Sequence, residues 1–119
     1  MKKLAISLCI LTLLCGCGKS SSLDDDIPVQ EQLEKIISED NYIIVDVRTK
    51  EEFDTSHIKD AINIPYDTID ETTELSKDKT IIVYCQSGGR SAKAATTLKT
   101  LGFEVLDLGA FASIDLEKE

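Results

Sequence analysis

Residues 85–90 read Cys-Gln-Ser-Gly-Gly-Arg, set between an apolar run and a stretch of helical spacing. That order places a thiol at the end of a strand, a tight turn after it, and the start of a helix beyond. Gly88 and Gly89 let the backbone curl so that successive N–H groups point inward as an anion-binding nest. The amino end of the following helix adds partial positive charge, and Arg90 adds a full one. All three favour thiolate over thiol, so the Cys85 pKa is expected below its ordinary value of about 8.5. The same cradle would hold an anionic group attached to the sulfur, which is what covalent catalysis by cysteine needs. The competing reading is a small buried hydrophobe, the commonest use of a free cysteine. Core filling alone would not call for two glycines and an arginine at that end of the strand, and the nucleophile is the better reading.

The elements that must carry this loop alternate between helix and strand. Asp26 or a neighbour can cap a first helix with Pro28 in its first turn, and Val29, Leu33, Ile36 and Ile37 recur at helical spacing as one buried stripe. Tyr42 to Val47 is a continuous run rich in β-branched residues, suited to a strand covered on both faces. Thr49 can cap a short helix through Phe53, Ala61 to Ile64 is a brief strand stopped by Pro65, and Tyr66 to Asp78 is polar with room for a short helix. Thr80 to Tyr84 is the second strong strand and runs into Cys85. A helix follows from Ser91 to Leu101 with Ala94, Ala95, Leu98 and Leu101 inward, Gly102 is placed to end it, and Phe103 to Leu108 is a last strand. The pattern predicts an α/β domain, a small and mainly parallel sheet with helices on both faces. Chemistry in such sheets gathers at the carboxyl ends of the strands, and Cys85 sits at one.

The chain has 119 residues, enough for one domain, and its four cysteines could suggest two disulfides. Their placement argues against that, because Cys9, Cys15 and Cys17 crowd the first 17 residues and Cys85 stands far downstream. Met1-Lys2-Lys3 followed by the uncharged run Leu4 to Leu14 has the form of a secretory signal, too short for a membrane span of about 20 residues. Leu14-Cys15-Gly16-Cys17 resembles the lipobox of bacterial lipoproteins. That resemblance implies cleavage of residues 1–16, diacylglycerol on the Cys17 sulfur, a flexible tether over 17–26, and a folded domain over 27–119. The expected location is the outer face of the cytoplasmic membrane, the periplasm or the outer membrane, with the lipid as membrane contact. Cleavage removes two lysines and no acidic residue, so the net charge moves from −9 to −11. Such an excess of acid makes nucleic acid a poor partner. Asp24-Asp25-Asp26 reads as solvated linker. A single histidine and a single unmodified cysteine make a structural zinc site unexpected.

The words around the loop identify a family. Cys85-Gln86-Ser87-Gly88-Gly89-Arg90-Ser91 resembles the active-site loop of single-domain rhodaneses, sulfurtransferases that carry sulfur as a cysteine persulfide. Ile44-Val45-Asp46-Val47-Arg48 with Glu51-Glu52-Phe53 resembles the family's first block, and His57-Ile58 with Ala61-Ile62-Asn63-Ile64-Pro65 its second. Leu101-Gly102-Phe103, Val105 and Leu108-Gly109 resemble its end. The likeness runs from about Ile27 to Ile114 and implies the rhodanese fold. Ser56 and Asp60 stand where glycines are usual, Ala110 where a second glycine is common, and Ile114 where a tryptophan often sits. Related phosphatases and arsenate reductases have five residues between Cys and Arg. Here Gln86, Ser87, Gly88 and Gly89 make four, a smaller ring suited to one sulfur atom or the end of thiosulfate and tight for a tetrahedral phosphoryl group, so phosphatase or arsenate reductase activity is the less favoured alternative.

The resemblance implies catalysis by Cys85 in two half-reactions. Its thiolate takes the outer sulfur of a donor such as thiosulfate, the amides from Gln86 to Arg90 hold the persulfide, and a thiol or cyanide accepts the sulfur. No metal or organic cofactor is required. Partners are then a small donor and a thiol acceptor, with a partner protein as a further option, and a monomer is expected. Arg90 either orients the donor or braces the loop through a carboxylate. Gln86 stands where many relatives carry arginine, so with the acidic balance a dianion should be captured weakly. The natural donor is then expected to be neutral or carried by another protein. His57 reads as scaffold, because a thiolate favoured by its loop needs no general base, and Asp46 with Arg48 reads as a pair fixing the strand end. The competing function is a sulfur relay or sensing module with little turnover.

Overall fold

A computed structural model describes residues 26–119. The signal segment, Cys17 and most of the tether lie outside the described residues. In chain order the elements are α1 (Val29–Glu39), β1 (Tyr42–Asp46), α2 (Lys50–Thr55), β2 (Ile62–Asn63), a 3₁₀ turn (Tyr66–Thr68), β3 (Thr80–Cys85), α3 (Gly89–Thr100), β4 (Glu104–Ala110) and a second 3₁₀ turn (Phe111–Ser113). The strands lie in the order β2-β1-β3-β4, and all three pairings are parallel. No described helix is long and apolar enough to cross a membrane.

Side-chain alternation divides the core into two layers. On one face Val45, Val47, Ile81, Val83, Cys85 and Val105 pack against Ala94, Ala95 and Leu98 of α3. On the other, Ile44, Ile82, Tyr84 and Leu106 pack against Leu33 and Ile36 of α1, with Ile58 and Ile114. β1 and β3 are therefore covered on both sides, as their unbroken apolar runs require. The thiol belongs to the α3 face, whereas the next residue back, Tyr84, belongs to the α1 face.

Several expectations need correction in detail. α1 starts at Val29 after Pro28 with no side-chain cap, and Val29 is exposed while Gln32 is buried in its place. The Gln32 amide donates to the Ile27 carbonyl at 2.7 Å, which draws that side chain inward at the helix start. The polar stretch 66–78 does hold a short helix, of the 3₁₀ kind, at Tyr66–Thr68. α3 begins at Gly89, two residues ahead of the expected Ser91, because Ala92 N–H donates to the Gly88 carbonyl and opens the helix there.

Two sequence signals act as read. Thr49 caps α2 and completes a capping box with Glu52. After Leu101, Gly102 N–H donates to Lys99 and Phe103 N–H to Leu98, the pairing of a left-handed helix end, with Gly102 at φ +101°. At Asp60, where glycine is usual among the proteins this chain resembles, the backbone keeps the left-handed form at φ 71°. Ser56 is extended at φ −171°, which any residue adopts. Ile114 is buried in the α1-face core, so a smaller apolar side chain fills the place of a tryptophan. The C-terminus is tied down by Glu119 and His57, whose main chains exchange hydrogen bonds of 2.8 and 2.9 Å.

Candidate active site

Cys85 ends β3, a central strand, between the exits of β1 and β4. Val47 N–H donates to the Tyr84 carbonyl at 3.1 Å, and the Asn63 amide bridges the Asp46 and Arg48 carbonyls at 3.0 Å each. These bonds lock the end of β1 beside the thiol before the loop begins. Gly88 takes φ +108°, a conformation costly for any residue with a Cβ, and this turns its N–H onto the Cys85 Sγ at 2.9 Å. Gly89 is the first residue of α3, so only one of the two glycines is needed for the turn itself.

Burial opposes ionisation of Cys85, which has no exposed surface, yet its pKa is lowered. The Ser91 hydroxyl is the leading cause, followed by the amides of Ser91, Gly88 and Ser87. The Ser91 hydroxyl also lies 3.2 Å from the Gly88 carbonyl. Its single proton serves one acceptor at a time, and an ionised sulfur is the stronger one. Ser91 is itself fully buried on the first turn of α3, so its hydroxyl has no water to compete for it. In the sequence Ser91 stands in the motif with no role of its own. Its signal is the position, one residue past the arginine and in the helix's first turn.

Arg90 does not direct an unshared charge at the thiol. Its guanidinium pairs with Glu52 of α2 through bonds of 2.8 and 3.2 Å. That pairing is the main reason the Glu52 carboxyl is held at about 2, against the opposing effect of burial and with help from Thr49. One carboxylate thus caps α2 and anchors the far end of the thiol loop. Of the two roles open for Arg90 in the sequence, bracing through a carboxylate is the one whose contacts are present. The Thr49-x-x-Glu52 spacing marks a capping box, but no local signal ties its glutamate to Arg90.

Asp46 and Arg48 form a second anchor, buried beneath the loop at 0 % and 3 % exposure. Arg48 donates to Asp46 from Nε and Nη2, to the Ser56 carbonyl at 2.6 Å and to Gln86 Oε1 at 3.0 Å. Its guanidinium carbon lies 4.4 Å from the Phe111 ring centroid, a cation–π contact that closes the other side. Burial alone would lower the Arg48 pKa, but Asp46 raises it and keeps the group charged. Gln86 is thereby held at its side chain, Ser87 and Gly88 at their amides, and Arg90 at its guanidinium.

His57 is held away from this chemistry. Its ring stacks on Phe53 with centroids 3.8 Å apart, and Nδ1 lies 2.9 Å from the Phe53 carbonyl. Among the described residues no group of three or more His, Cys, Asp or Glu could hold a metal ion.

A thiol at the end of a central strand, stabilised by the Ser91 hydroxyl and the amides of Ser91, Gly88 and Ser87, can attack a polarised sulfur and keep the product as an anion. Comparison with known proteins gives the family. Residues 29–112 match the Rhodanese-like domain. The chain is 32% identical over 88 residues to the "Putative sulfur carrier protein YrkF" of Bacillus subtilis, covering 73% of this chain and 48% of that protein. It is 42% identical over 72 residues to the chloroplastic thiosulfate sulfurtransferase 16 of Arabidopsis thaliana, covering 50% of this chain and 60% of that one. The chain therefore spans about half the length of these curated relatives. An E. coli rhodanese solved with anions superposes with a TM-score of 0.58 at 30% identity, covering 66% of this chain and 96% of the other. With the α/β fold, the loop and 84 matched residues in agreement, the chain belongs to the rhodanese-like domain family, whose relatives here work in sulfur transfer.

Proposed function

We propose that the protein moves sulfane sulfur from a donor such as thiosulfate to a thiol or cyanide acceptor through a persulfide on Cys85. The observation that carries this reading is the Gly88 N–H aimed at Cys85 Sγ from within a four-residue ring that Arg90 closes. In the first half-reaction the thiolate attacks the outer sulfur of thiosulfate, the S–S bond to the sulfite group breaks, and sulfite leaves with the electron pair. The negative charge moves to the terminal persulfide sulfur, where the amides of Gln86 to Arg90 hold it. An acceptor thiolate or cyanide then takes that sulfur and restores the Cys85 thiolate.

Intact mass of the protein after thiosulfate and then cyanide tests it. A gain of one sulfur that cyanide removes is expected for the wild type, and no gain for Cys85→Ala. A wild type that gains nothing from any sulfane donor overturns the persulfide. The name of the B. subtilis relative favours a second reading, a relay that loads sulfur and hands it to a partner protein. In that case the persulfide forms and small acceptors turn it over slowly.

The same proposal places the domain outside the cytoplasmic membrane, held by lipid on Cys17. Its support is the run from Met1 to Cys17. Cys17→Ser is expected to move the protein from the membrane fraction to the soluble fraction, and a variant that stays with membranes contradicts the anchor.

A further inference from the structure

Both guanidiniums that reach the thiol loop already hold a carboxylate. Arg48 is committed to Asp46 at 2.6 Å and also donates to Ser56 and Gln86, and Arg90 is committed to Glu52 by two bonds. Gln86, the loop's first residue, has its side-chain oxygen turned to Arg48 and brings no charge. The next cation along α3, Lys93, lies 5.9 Å from the Tyr66 ring centroid. What remains for an incoming anion is the pull of the loop amides and the start of α3, worth roughly half an elementary charge. That offsets part of the single charge of a thiolate or a terminal persulfide. It leaves the second charge of a dianionic donor with no counter-ion in the loop.

Resting on the persulfide chemistry above, we propose that Glu52 is a specificity-determining residue that sets donor charge. By occupying Arg90 it selects sulfane donors of one negative charge or none over the dianion thiosulfate. The geometry allows the role to be separated from support of the fold. Gln at position 52 keeps the side-chain oxygen that the Thr49 cap requires and can still accept a bond from Arg90, while the charge that neutralises Arg90 is gone.

Two donors that differ by one charge report on this directly. Thiosulfate and methanethiosulfonate both present a terminal sulfur to Cys85, and they release sulfite and methanesulfinate respectively. In each case one S–S bond forms, one S–S bond breaks, and the leaving group keeps the electron pair. The measurement is the second-order rate constant for persulfide loading, followed by intact mass. Wild type is expected to load from methanethiosulfonate faster than from thiosulfate. Glu52→Gln is expected to raise the thiosulfate constant about tenfold while that of methanethiosulfonate rises less than about threefold, the difference being one added charge facing an unmasked guanidinium. Equal changes for the two donors would mean that Glu52 acts only as a brace and would overturn the assignment. Should Glu52→Gln fail to fold, Gln86→Arg adds an unpaired cation without touching the α2 cap and must shift the same ratio in the same direction. If neither donor loads the wild type, the persulfide reading falls and takes this one with it. Loading from methanethiosulfonate with an unmoved ratio in both variants overturns only the charge selection.

Discussion

Asp46→Ala is expected to cost about 3–5 kcal/mol, the loss found when one partner of a buried ion pair is removed and the other charge stays behind. Asp46 is fully buried and accepts from Arg48 at its backbone N–H, Nε and Nη2. The guanidinium cannot follow the loss by swinging into water, because Phe111 lies over it and Ser56 and Gln86 hold its other donors. For a domain of this size each kcal/mol lowers Tm by about 4–8 °C, so a fall of more than about 12 °C is expected in a thermal melt. Since typical domains hold about 5–15 kcal/mol in all, a large share of the native stability would go. A loss below about 1 kcal/mol would mean that water reaches Arg48 and that the pair is not buried in solution.

The pair also lets stability and function be told apart. Asp46→Leu with Arg48→Met removes both charges and should recover most of the loss, because the cost in the single variant is the orphaned charge. Sulfur transfer should not recover with it. Gln86 loses the donor on its side chain, and Ser56 loses the bond that holds the α2 exit beside the loop. A folded double variant with full activity would show that this anchor serves the fold alone.

How legible this arrangement was in the sequence depended on the kind of force involved. Strands β1 and β3 were readable because burial on both faces demands an unbroken apolar run, and their short length and β-branched residues favour strand over a buried helix. Thr49 was readable because a cap is local. The start of α3 was misplaced by two residues because glycines look like loop until the backbone shows that Gly89 already has helical form. Val29 and Gln32 exchanged places through a contact just ahead of the helix, the Ile27 carbonyl that draws the glutamine inward, which helical spacing alone does not register. At the site, Cys85 and its ring stood out because a thiol, two glycines and an arginine are rarely adjacent by accident. The partners did not. Arg90 was expected to lend its charge to the thiol, and it shares that charge with Glu52, 38 positions earlier. That pairing joins α2 to α3, and only the folded sheet brings those two helix starts together.

Ser91→Ala is the second variant with a large expected effect. The Ser91 hydroxyl is the leading group that overcomes burial at Cys85, ahead of the loop amides, which the substitution leaves in place. A hydrogen bond to an ionised group is worth about 1.5–3 kcal/mol, so persulfide formation at neutral pH should slow about tenfold or more. The loss should shrink as pH rises, because at high pH the thiol ionises without help. Thiolate ultraviolet absorbance of the wild type, taken as the difference from Cys85→Ala, should titrate below the ordinary cysteine range, and that of Ser91→Ala should titrate higher. Stability follows the same proton. With the folded pKa below the unfolded one, the stabilising contribution is complete above the unfolded value and lost as pH falls through the folded one. Wild type should therefore gain stability with rising pH across that window, and Ser91→Ala should gain less. An unchanged titration together with a slower rate at every pH would assign Ser91 to packing, since loss of shape alone would leave the thiol's proton where it was.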